Sequence, residues 1–113
     1  MSTVTAIIPA YNEEGTIGKI VSVVRQIDEI KEIIVVSDGS EDNTAEVARQ
    51  AGARVIELVE NTGKGGAMMA GVAHAQGDII LFLDADLIGL TPEHVKSLID
   101  PVLRREVEMS IGI

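Results

Sequence analysis

The chain has 113 residues, 46% of them hydrophobic, the size and apolar content of one compact domain over 1–113 with no internal boundary. Eighteen acidic against nine basic side chains give a net charge of −9, which repels nucleic-acid backbones and anionic lipid surfaces, and the only aromatics, Tyr11 and Phe82, cannot stack several bases. No cysteine is present, so disulfides and thiolate metal sites are excluded; with no basic leader and no apolar run of membrane length, the expectation is a soluble, cytoplasmic protein.

The first β-branched run, Val4 to Ile8, predicts a strand followed by the polar triplet Tyr11-Asn12-Glu13. Ile17, Ile20, Val21, Val24 and Ile27 then fall on one helical stripe. A second strand over Ile33 to Val36 runs into Ser37-Asp38-Gly39-Ser40, and a helix from about Asn43 to Gln50 ends at Gly52, a natural C-cap residue. Val55 to Val59 predicts the third strand. The glycine-rich Asn61-Thr62-Gly63-Lys64-Gly65-Gly66 loop leads into a helix from about Gly65 to Ala75, in which Met68 and Met69 read as core filling. Ile79 to Leu83 predicts the fourth strand, ending in Asp84-Ala85-Asp86. Thr91-Pro92-Glu93 opens a last helix with a capping hydroxyl, a proline at the first helical position and a first-turn acid; Val95, Leu98, Ile99, Val102 and Leu103 form its apolar stripe. From Glu108 to Ile113 another strand-like stretch begins and stops without a turn or cap. The chain therefore reads as a fragment, and an edge strand of that kind could join copies of the chain into a homo-oligomer.

Strands alternating with helices predict an α/β fold with a mostly parallel sheet. If the right-handed crossovers reverse direction after the third strand, the order is 3-2-1-4, and the ligand crevice opens between the carboxyl ends of strands one and four. Polar residues gather just after the ends of strands one, two and four. Each such loop alone reads as an ordinary turn; three together point to a site.

Two carboxylates spaced by two residues, Asp84 and Asp86, project to the same side of extended backbone and offer hard oxygens suited to magnesium or manganese. A diphosphate could complete such a coordination sphere. The glycine-rich entry to the third helix can present backbone N–H groups and Lys64 to phosphate, although it is neither a Walker A loop nor a dinucleotide fingerprint. Asp38 could accept a hydrogen bond from a base and Glu13 one from a ribose hydroxyl, and both read equally as acids at helix N-termini. His74 and His94 lack a partner at ligand spacing and are expected at the surface. No serine elbow, zinc-helix motif or cysteine nucleophile supports hydrolysis.

Ile8-Pro9-Ala10-Tyr11-Asn12-Glu13-Glu14, Ser37-Asp38-Gly39-Ser40-Glu41-Asp42-Asn43-Thr44, Asn61-Thr62-Gly63-Lys64-Gly65 and Leu83-Asp84-Ala85-Asp86, in this order over residues 4–90, resemble the family 2 glycosyltransferases of Rossmann-like GT-A fold. The middle segments look like the subgroup holding polyprenyl-phosphate sugar synthases and glucosyl-phosphoglycerate synthases. The resemblance implies transfer of a sugar from a UDP- or GDP-linked donor to an acceptor. It implies that Pro9, Ala10, Tyr11, Glu13 and Asp38 line the nucleoside pocket, with Lys64 near the base or diphosphate. It also implies that Asp84 and Asp86 form the Asp-x-Asp motif, Asp86 being the metal ligand, with Mg2+ or Mn2+ as cofactor. The departure is length, because the family's acceptor-binding half, which supplies the base in inverting members, is not in these 113 residues. No catalytic base is assigned, and the chain by itself is expected to bind donor weakly and to turn over poorly. Two other readings stay open: a sugar-nucleotidyltransferase, which would want a basic glycine-rich loop where Tyr11-Asn12-Glu13-Glu14 stands, and a non-catalytic nucleotide-binding or assembly module.

Overall fold

The computed structural model describes residues 3–85, 90–97 and 109–111. Its elements run β1 (Val4–Ala10), α1 (Ile17–Val24), β2 (Ile30–Asp38), α2 (Thr44–Ala51), β3 (Arg54–Leu58), α3 (Gly63–His74), β4 (Ile79–Phe82) and β5 (Met109–Ile111), with residues 92–97 helical before β5. The sheet order is β3-β2-β1-β4-β5, every pair parallel. The expected 3-2-1-4 arrangement is therefore present, and the apolar stretch at the end of the chain adds β5 along the edge beside β4.

A parallel sheet covered on both faces needs strands that are apolar on both sides, which explains the nearly unbroken runs of Ile, Val and Leu. On one face Ala6, Ile8, Val35, Leu81 and Leu83 pack with Ile17, Ile20, Val21 and Val24 of α1, with Ala48 of α2 and with Val95. On the other, Ile7, Ile34, Val36, Ile80 and Phe82 pack with Ala67 of α3. Burial of each Ile, Val, Leu or Phe among them contributes about 1.5–3 kcal/mol. Helix α3 lies very close to β1: a Cβ on Gly71 would stand 2.5 Å from Ile7 Cγ2, so glycine there sets the distance between helix and sheet.

The capping readings hold at two places. Gly52 ends α2 in the left-handed conformation, φ 106°, and Thr91 accepts the His94 N–H at 3.2 Å to open the helix at 92–97. Some expectations change. Helix α3 begins at Gly63, so the Gly63-Gly66 segment is its first turn rather than a loop. Met69 is 69% exposed and fills no core. Val59 lies beyond β3 and is 98% exposed, because the strand already ends at Leu58. Leu98, Ile99, Val102 and Leu103, the rest of the last helix's stripe, lie outside the described residues, as does Asp86.

Candidate functional site

The register places Ala10 beside Ser37 and Asp38 beside Leu58, so β1, β2 and β3 finish level at one end of the sheet. A cleft of about 240 Å³ opens there. Pro9, Ala10, Tyr11 and Glu13 line it from β1 and its following loop, Asp38 from β2, Asn61, Gly63, Lys64 and Ala67 from the entry to α3, and Asp84 and Ala85 from the end of β4. All seven residues expected to contact substrate from this stretch of chain thus share one concavity. Asn61 and Ala67 belong to it as well; Asn61 could have been read from its place in the glycine-rich motif, whereas Ala67 carries no polar signal.

The β1–α1 loop is laced to the β2–α2 loop. Asn12 adopts φ 52°, a left-handed conformation that asparagine tolerates, and from it donates its N–H to Ser40 Oγ at 3.1 Å and accepts the Glu41 N–H on Oδ1 at 2.8 Å. Glu13 N–H donates to Thr44 Oγ1 at 2.9 Å, Glu14 N–H to Asp42 Oδ2 at 3.3 Å, and Asn43 N–H to Glu14 Oε2 at 3.1 Å. Asp42 also receives the Thr44 N–H at 3.0 Å and the Thr44 hydroxyl. Burial pushes the Asp42 carboxyl up, but the hydrogen bonds from Thr44 and Glu14 outweigh it and hold the group below the ordinary aspartate range.

Asp38 is only 4% exposed, and a carboxylate taken that far from water needs partners. Thr62 supplies two, its N–H and its hydroxyl, each at 2.8 Å and each on Oδ1; Asn61 Nδ2 donates to the Asp38 carbonyl at 3.2 Å. The neighbouring Gly39 has φ 72°, and a Cβ there would meet Asn61 N at 2.6 Å, so the two loops abut without room for a side chain. Asp38 thereby orders the entry to α3 with one oxygen while its side chain forms part of the cleft wall.

Lys64, in the first turn of α3, reaches across the cleft and forms an ion pair with Asp84. Asp84 lies two residues beyond the end of β4, but Ala85 is in a turn, so the extended backbone expected across Asp84-Ala85-Asp86 is not present at Ala85. The Asp84 carboxylate is a hard oxygen donor at the cleft mouth that already faces an ammonium, a position where positive charge is favoured. Among the described residues no group of three acidic or histidine side chains could hold a metal unaided. Further oxygens would have to come from Asp86 or from a bound diphosphate. His74 and His94 are exposed, as expected.

A family model described as "Glycosyl transferase family 2" matches residues 5–113. The chain belongs to glycosyl transferase family 2. It is 43% identical over 101 residues to the 4,4'-diaponeurosporenoate glycosyltransferase of Staphylococcus aureus, covering 85% of this chain and 27% of that protein. It is 36% identical over 110 residues to the glucosyl-3-phosphoglycerate synthase of Mycolicibacterium paratuberculosis, covering 89% of this chain and 33% of that protein. Among solved structures, the glucosyl-3-phosphoglycerate synthase of Mycobacterium tuberculosis in complex with Mn2+, UDP and glucosyl-3-phosphoglycerate superposes with a TM-score of 0.81 at 36% identity, over 90% of this chain and 40% of that one. The family 2 chain therefore has the parallel GT-A sheet and spans well under half the length of the relatives it matches. No helix among its described residues is long and apolar enough to cross a membrane.

Proposed function

We propose that this chain is the donor-binding part of a metal-assisted glycosyltransferase that takes a sugar from a UDP-linked donor. The observation that carries the reading is the convergence of Asp38 at the end of β2, Lys64 in the first turn of α3 and Asp84 after β4 on one cleft at the carboxyl edge of a parallel sheet. The mycobacterial relative, solved with UDP and Mn2+, supports the choice of base and ion.

In this reading Pro9, Ala10 and Tyr11 form the wall against the nucleoside, Asp38 accepts from the base, and Glu13 takes a ribose hydroxyl. Asp84 and Asp86, as the Asp-x-Asp pair, would hold Mg2+ or Mn2+, which when bound neutralises charge building on the leaving diphosphate. Lys64 adds a second positive charge beside the phosphates. The chain's own task is thus to orient the donor and stabilise the leaving group. A cytoplasmic setting and self-association through the β5 edge form part of the same proposal, the latter supported by the place of β5 at the end of the sheet order.

Calorimetric titration of UDP and of GDP, each with and without Mn2+, into the wild-type chain and Asp86→Ala tests this. Binding of UDP that strengthens with Mn2+ and loses that gain in the variant is the expected result. A chain that ignores both nucleotides, or binds them equally with and without metal, overturns it.

A further inference from the structure

Thr16 occupies the N-cap position of α1, where a threonine hydroxyl ordinarily accepts a hydrogen bond from the first helical turn. Here it makes no such cap. The hydroxyl instead lies 2.7 Å from the Ala85 carbonyl, 3.2 Å from Glu13 Oε2 and 3.4 Å from the Glu13 carbonyl. Its single proton goes to the closest acceptor, Ala85 O, across a separation of 69 residues. Ala85 is only 4% exposed, so its carbonyl depends on a partner from the protein.

A threonine that leaves its own helix uncapped gives up a stabilising bond in favour of this one. The alternative bond joins two lining segments of the cleft: Glu13 on one side, Asp84-Ala85 on the other. On the amino side of Asp84 the Leu83 N–H donates to the Ile7 carbonyl at 3.0 Å; among the described residues the Asp84 carboxylate itself meets Lys64, whose side chain is 63% exposed, and a pair so open to solvent holds geometry poorly.

We propose that Thr16 is a positioning residue, its hydroxyl holding the Ala85 carbonyl and so setting where the Asp84 carboxylate stands relative to the nucleoside side of the cleft. This rests on the donor-site reading above. Thr16 is not among the residues that line the cleft; it acts through the backbone at Ala85, between the paired aspartates. Groups of this kind beside a metal site tune affinity by about 10- to 100-fold when removed.

The test compares UDP affinity with and without Mn2+ in wild type, Thr16→Val and Thr16→Ser. Valine keeps the shape and deletes the donor; serine keeps the donor. The expected result is a Thr16→Val chain whose metal-free UDP affinity stays within twofold of wild type while the gain from Mn2+ falls about tenfold, with Thr16→Ser restoring the gain. Should the valine variant fail to fold, Thr16→Ala, which admits water to the carbonyl, is expected to give the same split. A full manganese gain in the folded variant overturns the inference and leaves the donor site intact. An equal loss with and without metal also overturns it, because that is the mark of general disruption. Wild type that gains nothing from Mn2+ overturns the donor-site reading itself, and this inference with it.

Discussion

The two ends of the parallel sheet both bury polar side chains, and they use them differently. At the amino end Thr5, fully buried, donates to Glu32 Oε1 at 2.9 Å and accepts the Gly77 N–H at 2.9 Å. Gln76 N–H also donates to Glu32 Oε1, and Arg54 bridges Glu32 and the His74 carbonyl. Those groups answer one another. At the carboxyl end the same economy holds the loops, yet Asp38, Glu13, Lys64 and Asp84 all face a common cleft. The comparison separates polar groups that close a fold from polar groups that hold a fold open for something else.

Four substitutions or conditions would break or sharpen that contrast. Asp38→Ala should act at both levels: UDP affinity falls about 30- to 100-fold with loss of a charge-assisted bond, and the melting temperature drops because Thr62 loses its acceptor. Calorimetry paired with thermal unfolding checks it; an unchanged affinity would remove Asp38 from the site. Thr5→Val should cost about 1–3 kcal/mol in urea unfolding, since Gly77 N–H and Glu32 lose a buried partner, while UDP affinity stays at the wild-type value. Weakened nucleotide binding in that variant would show that the two ends are not independent.

Acid should weaken the carboxyl end through Asp42. Its folded pKa lies below the unfolded value, so its contribution is complete above about pH 4 and is lost as pH falls through the lower, folded value. The stability difference between wild type and Asp42→Asn is therefore expected to shrink as the pH is lowered from about 5 to about 3, and a constant difference would speak against the loop lacing. The smallest effect is expected from Lys64→Met. An ion pair this exposed contributes about 0–1 kcal/mol, so the unfolding midpoint should hardly move, and any loss should appear only in nucleotide affinity.

Much of this architecture could be read from the residues because its signals are local. Unbroken Ile and Val runs, the stripe from Ile17 to Ile27 and the αL glycine at Gly52 each declare an element within a few positions. Strand ends were less legible: β2 extends from Ile30 to Asp38, well beyond the apolar core of its sequence, because pairing with β1 recruits the flanking residues. Met69 was misjudged since hydrophobicity does not report which way a helical side chain faces. Site residues with charge or an unusual motif stood out at once. Asn12, Thr16, Asp42 and Thr62, which tie the loops around them together, look like ordinary turn formers, and each has a partner 24 to 69 residues away.

The double use of Asp38 bears on how such a chain can change over generations. One oxygen secures Thr62 and the entry to α3 while the residue is also among those lining the cleft. If Asp38 meets the base as proposed, any replacement there must also receive Thr62. On that reading a new donor preference is expected to arrive through paired exchanges at positions 38 and 62, with single exchanges that fold less well than the starting chain.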